Sequence, residues 1–89
     1  MKKLLFFHAP WCPPCHFYDD VFIIPLEDEV GSEYICRINA QNDPFTAEKY
    51  GIDKLPAVII LDGKKVIMRC TGAIDIDKTV ELLRGVIKC

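Results

Sequence analysis

Apolar residues fall along this chain in two periods. Leu4-Leu5-Phe6-Phe7 is an unbroken apolar run, which predicts a strand from Lys3 to His8 buried on both faces, as central parallel strands are. From Pro13 the period lengthens, with Phe17, Val21 and Ile24 at helical spacing. Pro25 predicts a kink or break near Ile24, and Leu26 to Val30 a second helical segment ended by Gly31. Tyr34 to Asn39 reads as a second strand. Asp43-Pro44 is an N-cap with proline at the first helical position, opening a helix to about Tyr50 that closes on Gly51. Ala57–Leu61 and Val66–Cys70 are strands joined around Asp62-Gly63, a hairpin signal. The last helix starts near Asp75, with Ile76, Val80, Leu83 and Ile87 on one face.

The order is therefore βαβαββα. The first βαβ unit is parallel and the hairpin adds antiparallel strands. The prediction is an α/β fold: a four-stranded mixed sheet in order 2-1-3-4 with helices on both faces. The helix start after His8 then lies at the carboxyl end of a central strand, where open α/β sheets place their sites. Residues 1–89 suffice for a single domain that buries roughly 60–65 % of its unfolded surface.

That helix start carries the chemistry. Trp11-Cys12-Pro13-Pro14-Cys15 holds two cysteines one turn apart. With Cys12 as N-cap, Pro13 and Pro14 fill the first two helical positions, where a missing N–H costs no intrahelical bond. The Cys15 N–H becomes the natural donor to a Cys12 thiolate, which the helix dipole also favours. Cys15, deeper in the helix, suits the resolving role in dithiol–disulfide exchange. A zinc site and a purely structural disulfide are the competing readings of such a pair, but a zinc site needs further ligands, and short disulfide loops in this context are usually redox-active. Cys36, Cys70 and Cys89 stand singly, and His8 and His16 are the local completers. Neither metal nor cofactor is expected, the redox centre being the Cys12–Cys15 pair itself.

A net charge of −2 with scattered lysines argues against nucleic acid or an anionic membrane as partner. No apolar stretch reaches membrane-spanning length. The start, Met1-Lys2-Lys3 before Leu4–Phe7, imitates a secretory signal, yet its apolar part stops at His8 without a small-residue cleavage site. A cytoplasmic monomer is expected, its five cysteines mostly reduced.

Taken together, Trp11–Cys15, Tyr50-Gly51-Ile52-Asp53-Lys54-Leu55-Pro56 and Thr71-Gly72-Ala73 resemble the thioredoxin superfamily over nearly the whole chain, its thioredoxin branch more than its glutaredoxin branch. The resemblance implies reduction of protein disulfides, a cis Leu55–Pro56 bond facing the dithiol, and electrons from a thioredoxin reductase or similar enzyme. It also implies a shallow docking surface made by Trp11, Leu55, Pro56, Thr71, Gly72 and Ala73. A glutaredoxin-like or ribonucleotide-reductase-dedicated redoxin is the alternative within the class. A metal carrier or a scaffold is the alternative outside it.

Three departures accompany the resemblance. The strand and helix that thioredoxins carry before the equivalent of Leu4 are not expected here, so Tyr34–Asn39 is expected to be a sheet edge. The kinking proline comes late, at Pro25. The buried aspartate six residues before the nucleophile is Phe6 here, so the usual base for the resolving thiol is lost while stability gains on the order of 1–3 kcal/mol. Arg37, without that carboxylate, is expected to be a solvated edge-strand charge. Cys36 reads as an inert small hydrophobe, Cys70 lies one residue before the docking loop, and Cys89 sits at the terminus.

Overall fold

The computed structural model describes residues 2–85. Strand β1 (Lys2–His8) runs parallel to β2 (Ile35–Asn39) and antiparallel to β3 (Ala57–Asp62), which pairs antiparallel with β4 (Lys65–Cys70). The order is β2-β1-β3-β4, as predicted. Among the described residues, four α-helices complete the fold: α1 (Pro13–Tyr18), α2 (Ile24–Val30), α3 (Pro44–Lys49) and α4 (Ile76–Arg84). Ile87 and Cys89 lie outside the described residues.

The apolar run in β1 is explained by two cores. Leu4 and Phe6 pack with Val58 and Ile60 against Cys15, Tyr18, Leu26, Val30 and Leu83, from α1, α2 and α4. Leu5 and Phe7 point the other way and pack with Ala57 and Ile59 against Ala47 of α3. A strand covered on both faces leaves no polar position, so the period-2 signal vanishes from it. Gly63, at φ +63°, opens the two-residue turn closed by the Asp62–Lys65 pair. One residue further along, Ile67 is bulged out of register opposite Ile60 and Leu61.

The break expected near Ile24 is a change of helix type, not an end to the helical backbone. Between α1 and α2 the helix widens into a π turn, Asp19–Ile23, and the Ile24 N–H donates to Asp19 O, five residues back. The widened turn absorbs the missing proline donor, and α2 then starts with Pro25 in its first turn. The covered face is also different from the one the Phe17, Val21, Ile24 spacing marks. Those three are exposed, Phe17 by 67 %, while Cys15, Tyr18, Ile23, Leu26 and Val30 are buried. Burying Cys15 on the sheet turns Tyr18 inward and Phe17 outward. The second strand starts one residue later than predicted, because Tyr34 closes a 3₁₀ turn, Ser32–Tyr34, after Gly31.

Arg37 is exposed on the edge strand, as expected, but it does not lack carboxylate partners. Its Nη2 and Nε atoms donate to Asp19 at 3.0 and 3.3 Å, and Nη1 and Nη2 donate to Glu27 at 3.1 Å. These hydrogen bonds, Glu27 first, raise the guanidinium pKa above its ordinary value. The edge strand is thereby tied to the π turn and to α2. Sequence spacing does not show that three separate elements meet at this point.

Candidate active site

Local rules build the site at the end of β1. Cys12 has extended backbone (φ −108°, ψ 93°) and caps α1, with Pro13 and Pro14 in its first turn. The Cys15 N–H donates to Cys12 Sγ at 3.2 Å, and the Cys12 N–H donates to Ala9 O at 3.2 Å. The two cysteines form a disulfide, with their Cα atoms 5.3 Å apart. Cys12 is 5 % exposed and Cys15 1 %. Both are buried, Cys12 the less completely. His16 follows directly, its Nε2 3.2 Å from Pro10 O, which holds the segment before Trp11 against α1.

Trp11 stands 67 % exposed beside the pair. Together with Cys12 and Leu55 it lines a groove of about 610 Å³ whose far wall comes from Pro44, Ala47 and Glu48 of α3 and from Gly51–Lys54. The Leu55–Pro56 bond is cis. Thr71, Gly72 and Ala73 are exposed but do not line this groove. They are tied to the site differently, because the Tyr18 hydroxyl donates to Gly72 O at 2.7 Å. The predicted residues thus divide into a groove side and a loop side.

Sequence reasoning missed the α3 wall and Tyr18. The wall was signalled only by the Asp43-Pro44 cap, which fixes where α3 begins. In the structure Asp43 accepts from Thr46 N at 3.1 Å and from Thr46 Oγ1 at 2.7 Å, and these bonds lower its pKa, the hydroxyl most. Arg69 Nη1 donates to Tyr50 O at 2.7 Å and ties the end of α3 to β4. Gly51, at φ +67°, makes the turn from α3 towards Pro56.

His8 ends β1 with its ring stacked on Phe6 at 5.5 Å. Burial lowers its pKa below the ordinary value, with Asp19 opposing the shift and Arg37 and His16 adding to it. Among the described residues, no three His, Cys, Asp or Glu side chains cluster as metal ligands. No helix among them is long and apolar enough to cross a membrane. Cys36 packs, half-buried, against the α3-side core.

The family profile for thioredoxin matches residues 1–85. A thioredoxin of Chlamydia caviae is 35% identical over 80 residues, covering 90% of this chain and 78% of its own length. A thioredoxin of Synechocystis sp. is 32% identical over 79 residues, covering 83% and 69%. Among solved structures, malaria parasite thioredoxin-2 superposes with a TM-score of 0.79 over 94% of this chain and 82% of its own, at 21% identity, a likeness of fold. Sequence kinship over most of the chain and a sulfur pair held at the start of a helix lead to the same place: this chain belongs to the thioredoxin family and is a thiol–disulfide oxidoreductase.

Proposed function

We propose that the protein reduces disulfides in other proteins, with Cys12 as the attacking thiolate and Cys15 as the resolving thiol. The observation that carries this assignment is the Cys15 N–H donating to Cys12 Sγ at 3.2 Å, with Cys15 the more deeply buried of the two. A donor aimed at the outer sulfur stabilises charge there, and the N-terminal end of the helix acts in the same direction. Pro13 and Pro14 keep other backbone N–H groups out of the first turn, so that donor is undivided.

The exchange proceeds in two displacements. Cys12 thiolate attacks one sulfur of the substrate disulfide; that S–S bond breaks and the other substrate sulfur leaves as a thiolate. Cys15 then gives up its proton and attacks Cys12 Sγ. The mixed disulfide breaks, the second substrate thiolate leaves, and the Cys12–Cys15 disulfide forms. Two electrons have passed to the substrate, whose two thiolates take up protons. No metal or organic cofactor takes part.

The substrate segment docks between the groove of Trp11 and Leu55 and the loop Thr71–Ala73, and the backbone of Leu55 beside Pro56 is its pairing edge. Electrons return from a thioredoxin reductase in the cytoplasm, a reading supported by the thioredoxin relatives above. The protein acts as a monomer. Cys15→Ser is expected to accumulate a mixed disulfide with a protein substrate through Cys12, and Cys12→Ser none. Trapping by Cys12→Ser alone would reverse the roles. Turnover with millimolar glutathione and none with NADPH and a thioredoxin reductase would replace the donor assignment.

A further inference from the structure

Thr71, Gly72 and Ala73 connect β4 to α4 without regular structure and are exposed. A segment of this kind fluctuates unless something outside it holds it. Two side chains do so. The Tyr18 hydroxyl donates to Gly72 O at 2.7 Å. Cys70 Sγ lies 3.3 Å from the same oxygen and 3.7 Å from Ala73 O. A thiol is the weaker donor, so the phenol is the principal hold.

Tyr18 is built as a fixed anchor. It is 5 % exposed. Its ring is stacked on Phe6 at 5.7 Å and 10°, and tilted against Phe22 at 4.8 Å. Burial, with the Cys70 thiol adding to it, raises the phenol's pKa well above its ordinary value, so the hydroxyl keeps the proton it donates. The residue belongs to α1, the helix opened by the dithiol, and its partner lies 54 positions away. The Gly72 carbonyl is thus held from inside the fold, while Thr71, Gly72 and Ala73 all remain exposed.

We propose that Tyr18 is a positioning residue: by donating to Gly72 it fixes the Thr71–Ala73 loop relative to the dithiol helix, and so sets affinity for protein disulfides without acting on the sulfurs. The proposal rests on the reading of that loop as a docking surface. Tyr18→Phe tests it, since the ring and its stacking remain and only the donor is lost. The full-length chain, kept reduced by dithiothreitol, is assayed against insulin and against a small chromogenic disulfide. The KM for insulin is expected to rise about two- to tenfold, the loss of one ordinary hydrogen bond. The kcat, the rate with the small disulfide and the pH profile of Cys12 alkylation should stay unchanged. Amide exchange at Ala73 and Ile74 should quicken while that of β1 does not.

An unchanged insulin KM, or unchanged exchange in the loop, overturns the proposal. So does an equal loss with both substrates, which would assign the hydroxyl to the dithiol helix as a whole. Ala73→Arg separates the proposal from the reading beneath it. If Ala73→Arg raises the insulin KM and Tyr18→Phe does not, docking at the loop stands and the role of Tyr18 falls. If neither variant moves it, both fall.

Discussion

Replacing Phe6 by aspartate tests how far the core beside the dithiol depends on an apolar residue at that position. Phe6 is 1 % exposed and lies between the rings of His8 and Tyr18, at 5.5 and 5.7 Å. Removing a buried phenylalanine side chain costs about 3–5 kcal/mol. Placing even a neutral carboxyl among Leu4, Val58 and Ile60 adds about 1–3 kcal/mol unless it finds a partner. The sum, about 4–8 kcal/mol, compares with a whole stability of about 4–13 kcal/mol for a chain of this length. It also exceeds the 1–3 kcal/mol order that polar burial alone predicts, because the lost ring packing is counted with it. Phe6→Asp is therefore expected to be marginally folded at best.

Urea titrations followed by far-ultraviolet circular dichroism at pH 5 and pH 8 measure this, with Phe6→Leu as the apolar control. Burial raises the pKa of the introduced carboxyl, so the folded state holds its proton at pH values where the unfolded chain has released it. Stability then falls as pH rises from the unfolded pKa to the folded one, by about 1.36 kcal/mol per unit of that rise. The variant should be weaker at pH 8 than at pH 5. In the fraction that folds, release of the mixed disulfide should quicken near neutral pH. A urea midpoint for Phe6→Asp within error of Phe6→Leu would refute the packing argument. Release unchanged across the pH range would refute the kinetic one.

Further outcomes follow from single contacts. Arg37→Ala removes a half-exposed network to Asp19 and Glu27 and should cost about 0.5–1 kcal/mol by thermal melting, with a smaller difference in high salt. Gly51→Ala meets nothing closer than Arg69 Nη1 at 3.8 Å, so its cost of about 1–2 kcal/mol comes from φ +67° alone and should appear in the same assay. His8 is favoured neutral in the fold, so its contribution is lost as pH falls through 6.5 and below; His8→Phe should flatten that part of the stability–pH curve, which Asp19, Arg37 and His16 otherwise shape.

What the sequence made legible here is what neighbours in the chain decide. Cys12, Asp43 and Asp75 each cap the helix that follows, accepting from the backbone three residues on. The β1 run announces a strand covered on both faces, and the sheet order follows from the element order. What stayed hidden depends on elements distant in sequence meeting. Arg37 finds Asp19 and Glu27 only once β2 lies beside β1. The register of the first helix was ambiguous because two apolar stripes run along it, Phe17–Val21–Ile24 and Cys15–Tyr18–Phe22–Leu26. Burial of Cys15 selects the second, and no spacing rule distinguishes them beforehand.

One consequence links the Phe6 departure to the docking loop. The rings of His8, Phe6, Tyr18 and Phe22 form a row from the end of β1 across the face of the helix, with successive centroids 5.5, 5.7 and 4.8 Å apart. Phe6 is one of its two inner members. A carboxylate there would leave Tyr18 without the flat surface that fixes its ring. On the roles proposed above, the apolar residue that stands in place of a base beside the resolving thiol also supports the ring by which Tyr18 holds the loop. The two effects act on different steps, the first on release of the mixed disulfide and the second on capture of the substrate, and kcat and KM report them separately.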